Sequence, residues 1–132
     1  MIVLDASVAV EILLGSDTGR IALQHVQQQP EVHVPEHFHI EVLSVLRRYS
    51  LTGELQEPRT SHALTLLSDL RAIRYSNLLF ARAIWELRTQ LTAYDAAYLA
   101  LARHLGGSIL TLDRGLANLA RVEGRLIDLR ST

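Results

Sequence analysis

Lysine is missing from this chain: all 13 basic residues among its 132 are arginines. A Walker A phosphate loop, which reaches its phosphates with Lys, is therefore excluded, as are Schiff-base and Ser–Lys chemistries. Cysteine is missing as well. That removes disulfides, thiolate metal sites and cysteine nucleophiles, and it is compatible with a cytoplasmic setting. No apolar run approaches the ~20 residues that cross a bilayer, so no membrane association is expected. The first residues lead straight into a short apolar run without the basic segment of a signal peptide. A formal charge of −1 argues against a generally basic nucleic-acid binder, while leaving room for local Arg clusters.

What is present is ordinary in bulk and specific in pattern. The length suits one domain over residues 1–132 with a true core, and 48% hydrophobic with 20% charged residues is globular composition. Met1-Ile2-Val3-Leu4 reads as a buried strand, followed by a helix Ser7 to Leu14 that Gly15 ends. Asp17 or Thr18 is expected to cap a second helix reaching about Gln29, and Val32 to Val34 is a short strand. Pro35 is expected to open a third helix, Glu36 to about Tyr49, with the stripe Phe38, Val42, Val45, Leu46 and Tyr49 facing inward. A helix from Pro58 to Leu67, a strand Ala72 to Tyr75 and one helix from Ser76 to Gln90 follow. Thr92 opens an Ala-rich helix that ends near Gly106-Gly107. The strand Ser108 to Leu112, a short helix Gly115 to Ala120 and a last strand Leu126 to Leu129 complete the chain. Strands alternating with helices predict an α/β protein, a three-layer α/β/α arrangement with a mainly parallel sheet.

Four carboxylates fall where such a fold gathers side chains: Asp5 and Asp113 after strands, Asp95 near a helix start, and Glu41 inside a helix. Converging acids repel one another unless a cation sits among them, so the set suggests a divalent-metal site. Each also has an ordinary explanation. Asp directly between strand and helix is a common N-cap, which fits Asp5 and Asp113. Thr92-Ala93-Tyr94-Asp95 is close to a capping box, although Asp95 shares its helix face with Leu99 and Ala102 and so points towards the sheet. Glu41 borders the apolar stripe, where a solvated boundary position would suffice. Ser7 is either a cap or a hydroxyl supporting Asp5.

The six histidines do not make a zinc site, because His33 falls in a strand and His37 and His39 point in different helical directions, unlike the i, i+4 pair of a zinc helix. His25, His62 and His104 read as surface residues. Arg47, Arg48 and Arg114 are candidates for phosphate contact, with Arg114 favoured by its place beside Asp113; solvated faces and local ion pairs are the alternatives.

At these residues the chain resembles the PIN domain family, in particular VapC-type toxins. The matching segments are Ile2 to Ser7, Pro35 to Arg48 with Glu41, Leu91 to Ala102 with Asp95, and Leu110 to Ala117 with Asp113. They occur in order and at family-like spacing over essentially the whole chain. The resemblance implies a sheet ordered 3-2-1-4-5, with strands one and four adjacent at the topological switch point where open α/β sheets bind ligands. It implies that Asp5, Glu41, Asp95 and Asp113 form an acidic quartet binding Mg²⁺ or Mn²⁺, and that Ser7 and Thr111 are auxiliary hydroxyls. Some relatives carry one further acid just after the position of Asp113; Leu116 and Asn118 occupy that stretch here.

The resemblance further implies a metal-dependent endoribonuclease, the toxin of a toxin–antitoxin pair, leaving 5′-phosphate and 3′-hydroxyl ends. RNA, a cognate antitoxin and a second copy of the chain are then the expected partners. The surplus apolar residues in Val10-Glu11-Ile12-Leu13-Leu14 suit an antitoxin groove, a dimer interface or plain core packing. A PIN-like module that binds RNA or protein without cleaving is the alternative. A phosphatase with a covalent phosphate on Asp5 is disfavoured by the missing Lys and by Ser at position 7.

Overall fold

The short runs Ile2–Leu4 and Val32–Pro35 form strands buried on both faces, as inner parallel strands between helix layers require, whereas the run Ala72–Tyr75 lies at the sheet edge with Ile73 and Arg74 exposed. The computed structural model describes residues 1–130. Its elements are β1 (Ile2–Leu4), α1 (Ala6–Leu14), α2 (Asp17–Gln27), β2 (Val32–Pro35), α3 (Phe38–Leu51), α4 (Arg59–Asp69), β3 (Ala72–Tyr75), α5 (Ala81–Glu86), α6 (Ala93–Leu105), β4 (Ser108–Leu110) and α7 (Arg114–Val122). All strand pairs are parallel, in the order β3-β2-β1-β4. Val3 pairs with His33 on one side and Ile109 on the other, so β1 is central.

The expected order 3-2-1-4-5 holds, with the fifth strand reduced to a single parallel bridge between Leu126 and Ile109. Beyond that bridge the side chain of Asp128 accepts hydrogen bonds from the Arg130 backbone N–H (2.9 Å) and guanidinium, a local alternative to the ladder.

The path β1→β2→β3 steps one way across the sheet and β3→β4 returns. Right-handed crossovers therefore place α1–α4 on one face and α5–α7 on the other. Packing follows this division: α1 touches α2, α3 and α4, while α6 touches α5 and α7 and crosses β1, β2 and β4. Ala96 to Ala102 of α6 are all buried, and small Ala side chains let the helix lie close to the sheet. Gly19 permits an equally close approach of α2 to α1, because a Cβ there would sit 2.0 Å from the Glu11 carbonyl oxygen.

Three local expectations are corrected. Ser16, not Asp17 or Thr18, caps α2, its hydroxyl accepting the Gly19 N–H at 3.0 Å, because left-handed Gly15 ends α1 and leaves Ser16 extended. Pro35 ends β2 rather than opening α3: it pairs with Tyr75, and the Tyr75 carbonyl accepts the Glu36 N–H. The expected helix from Ser76 to Gln90 is a 3₁₀ turn (Asn77–Phe80) and the short α5, because Leu78 and Leu79 are exposed, Phe80 is buried and no continuous apolar stripe exists. The α3 stripe is as expected, with Phe38, Val42 and Leu46 in the core and Val45 and Tyr49 packed against it.

Candidate active site

Strands β1 and β4 end side by side at the switch point, and the chain leaves both through an aspartate. Asp5 occupies the N-cap position of α1, yet its side chain does not cap. Its Oδ2 instead accepts hydrogen bonds from Ser7 Oγ at 2.7 Å and Thr111 Oγ1 at 2.6 Å. Each hydroxyl is used twice. Ser7 Oγ accepts the Leu112 N–H and Thr111 Oγ1 the Asp113 N–H, both at 3.0 Å. Two side chains thus tie the β1–α1 turn to the β4–α7 turn through one carboxylate.

Asp5 is buried, and burial pushes its pKa above the usual carboxylate value against the two hydroxyl bonds; the charges of Glu41 and Asp113 push it further. Asp95, half-buried in the first turn of α6, is raised by burial and then by Asp113 and Asp5. Thr92 caps that helix, accepting the Asp95 N–H at 3.3 Å. Asp113 does cap: its Oδ2 accepts the Leu116 N–H at 2.8 Å.

Glu41 lies in the first turn of α3 rather than mid-helix. Its Oε1 accepts the Tyr98 hydroxyl at 2.6 Å and lies 3.3 Å from His37 Nε2. The charge of Asp113 reaches both Asp5 and Asp95, and that of Glu41 reaches Asp5. Among the described residues, however, no three carboxylate or imidazole side chains converge tightly enough to enclose one ion by themselves.

The donor set still fits a hard cation. All four side chains offer oxygen, and Mg²⁺ commonly keeps several waters and takes only one or two carboxylates directly. Zinc is not supported: His33 Nδ1 bonds the Tyr75 hydroxyl, His39 packs edge-on to Phe38, and only His37 reaches the acids. Arg114 is exposed at the first position of α7 and forms no ion pair among the described residues. An open groove of about 830 Å³, lined in part by Thr111, Leu112, Arg121 and Leu129, runs beside the acids rather than over them.

Two partners of Glu41 escaped the sequence reading. Tyr98 stands three residues after Asp95 and shares its inner helix face, a spacing that signals it. His37 had been weighed only as a zinc ligand. Its Nδ1 faces Asn77 Nδ2 at 3.0 Å across 40 residues of chain, which no local pattern reveals.

An open parallel sheet with acids around the switch point between β1 and β4 defines the class, and the sequence comparison agrees. Residues 2–122 match the PIN domain, and the chain belongs to that family. It is 32% identical to Ribonuclease VapC12 of Mycobacterium tuberculosis over 117 residues, 89% of this chain and 90% of that protein. It is 33% identical to Ribonuclease VapC3 of Pyrobaculum aerophilum over 120 residues, 88% and 92% of the two chains. The solved structure of PAE2754 from Pyrobaculum aerophilum superposes with a TM-score of 0.68 at 19% identity, covering 95% of this chain and 81% of that one, and shares the fold.

Proposed function

We propose that this protein is a metal-dependent endoribonuclease, the toxin of a toxin–antitoxin pair, cutting RNA to leave 5′-phosphate and 3′-hydroxyl ends. The observation that carries the chemistry is Asp5: a buried carboxylate, fixed by two hydroxyls, whose ionisation burial and two neighbouring acids oppose. Its relatives' names carry the substrate class.

In this reading Asp5, Asp95 and Asp113 hold Mg²⁺ or Mn²⁺, and Glu41 joins them directly or through water. The bound cation supplies Lewis acidity for a water nucleophile and for the charge that develops at phosphorus. Ser7 and Thr111 hold the Asp5 carboxylate in one orientation, leaving Oδ1 to the site. Asp113 does the same with one oxygen spent on the α7 cap. Arg114 attracts an RNA phosphate towards a pocket that would otherwise repel it.

The residues Val10 to Leu14 divide. Val10 and Leu13 enter the core, and Ile12 and Leu14 border a groove of about 370 Å³ closed by Pro58, Arg59 and Leu66 of α4 and its approach. This groove is the antitoxin surface in our reading. Exposed Leu78, Trp85 and Tyr94 line one shallow groove, the face a second copy would cover in our reading. Among the described residues no helix is long and apolar enough to cross a membrane; a cytoplasmic site of action, and one domain over residues 1–132, complete the proposal.

The test is cleavage of a panel of purified cellular RNAs with Mg²⁺, Mn²⁺ or EDTA, comparing wild type with D5N and D95N. EDTA-sensitive cleavage absent from both variants is the expected result. Inactivity of folded, antitoxin-free protein with either metal would favour the non-cleaving binding module.

A further inference from the structure

Glu41 is the one acid of the four that comes from the other helical layer, so something must set its distance from the rest. Tyr98 is fully buried in α6, and its hydroxyl donates to Glu41 Oε1 at 2.6 Å. A neutral phenol facing a carboxylate oxygen can only donate to it, so the direction of this bond is fixed by the chemistry of the pair. The ring of His37 stands edge-on to both Tyr94 and Tyr98, with centroids 5.3 and 5.5 Å away. His37 Nδ1 lies 3.0 Å from Asn77 Nδ2, and its Nε2 faces the Tyr94 carbonyl at 3.2 Å and Glu41 Oε1 at 3.3 Å. The Tyr98 hydroxyl is thus the side-chain donor bonded to Oε1, with His37 Nε2 beside it but bonded to the Tyr94 carbonyl, and among the described residues no donor reaches Oε2.

We propose that Tyr98 is the positioning residue for Glu41: it anchors Oε1 so that Oε2 alone is presented to the site, with His37 as the weaker second anchor. The proposal rests on the metal-ribonuclease reading above. Because Asp95 and Tyr98 lie three residues apart on α6, one rigid helix sets both an acid and the anchor of the acid opposite it. Tyr98 has no exposed surface, so it cannot touch RNA and acts only through Glu41.

The experiment measures single-turnover cleavage, RNA binding and Mn²⁺ uptake (from the free-ion EPR signal) for wild type, Y98F, H37F, E41Q and Y98F/E41Q. Y98F is expected to lower the cleavage rate and the Mn²⁺ affinity by about 10-fold each while leaving RNA affinity within about 2-fold. H37F should show the same pattern at about 3-fold, the size of one weak polar contact. In the E41Q background Y98F should add less than about 2-fold, since a residue acting through Glu41 has nothing left to position.

A merely structural Tyr98 would lower the melting temperature and leave rate and Mn²⁺ affinity of the folded protein alone; that result, or full multiplication with E41Q, overturns the proposal. If Y98F does not fold, H37F decides, and wild-type behaviour there overturns it. A wild type that neither cleaves RNA nor takes up Mn²⁺ overturns the parent reading and this role together. An active wild type matched by Y98F overturns the positioning role only.

Discussion

Thr111→Val replaces a hydroxyl by a methyl of the same shape at the point where the two site-bearing turns meet. The Thr111 hydroxyl donates to Asp5 Oδ2 at 2.6 Å and accepts the Asp113 N–H at 3.0 Å, and both Thr111 and Asp5 are buried. The first bond has a charged acceptor, a class that contributes about 1.5–3 kcal/mol. The second loss leaves a half-buried N–H to find water, about 1 kcal/mol more. The variant should therefore lose roughly 3 kcal/mol at pH 7.5 in EDTA, or about 10 °C at the roughly 3–5 °C per kcal/mol of a chain this size. Most of that loss depends on the Asp5 charge. In a D5N background the same substitution should cost only about 1 kcal/mol, a coupling of about 2 kcal/mol in a double-mutant cycle by urea unfolding. Equal losses in the two backgrounds would refute the claim that Thr111 acts on the carboxylate.

Other outcomes follow from the same geometry. Asp113→Asn keeps an oxygen for the Leu116 N–H and should stay within about 0.5 kcal/mol of wild type, whereas Asp113→Ala loses the cap and about 1 kcal/mol; chemical denaturation separates them, and both should abolish cleavage. The pKa values of Asp5 and Asp95 are raised from 3.8 by burial, so between that value and their folded values the folded state holds protons the unfolded chain has released. Their contribution to stability is thus largest below pH 3.8 and falls as pH rises through the window. In EDTA, D5N should show a shallower decline than wild type, and parallel curves would refute the assignment. Gly19→Ala drives a Cβ into the Glu11 carbonyl and should cost more than about 3 kcal/mol or prevent soluble folding. Unchanged melting of G19A would show that α1 and α2 are not packed so closely.

Much of this protein was legible in one dimension. Residues 2–4 and 32–34 announce strands because a short run rich in β-branched residues that ends at Asp or Pro has few other homes, whereas Ala72-Ile73-Arg74-Tyr75 carries a much weaker signal. Asp5, Asp95 and Asp113 stood out because an acid at the inner end of a strand or helix stripe needs a partner. What local pattern could not decide is which oxygen does what. Asp5 and Asp113 occupy equivalent strand–helix junctions, yet only Asp113 caps, because Ser7 and the hydroxyl of Thr111, 106 residues from Asp5, claim the other carboxylate first. The residues 76–90 looked like one helix on apolar content alone, and the burial of Phe80 against exposed Leu78 and Leu79 broke it. Glu41 was legible as one of the four acids, but its bond to the buried hydroxyl of Tyr98, 57 residues away, was not. Composition and periodicity determine which segments become strands and helices, since those preferences are local; the pairing of Glu41 with Tyr98 and of Asp5 with Thr111 belongs to the sheet order that brings distant turns together.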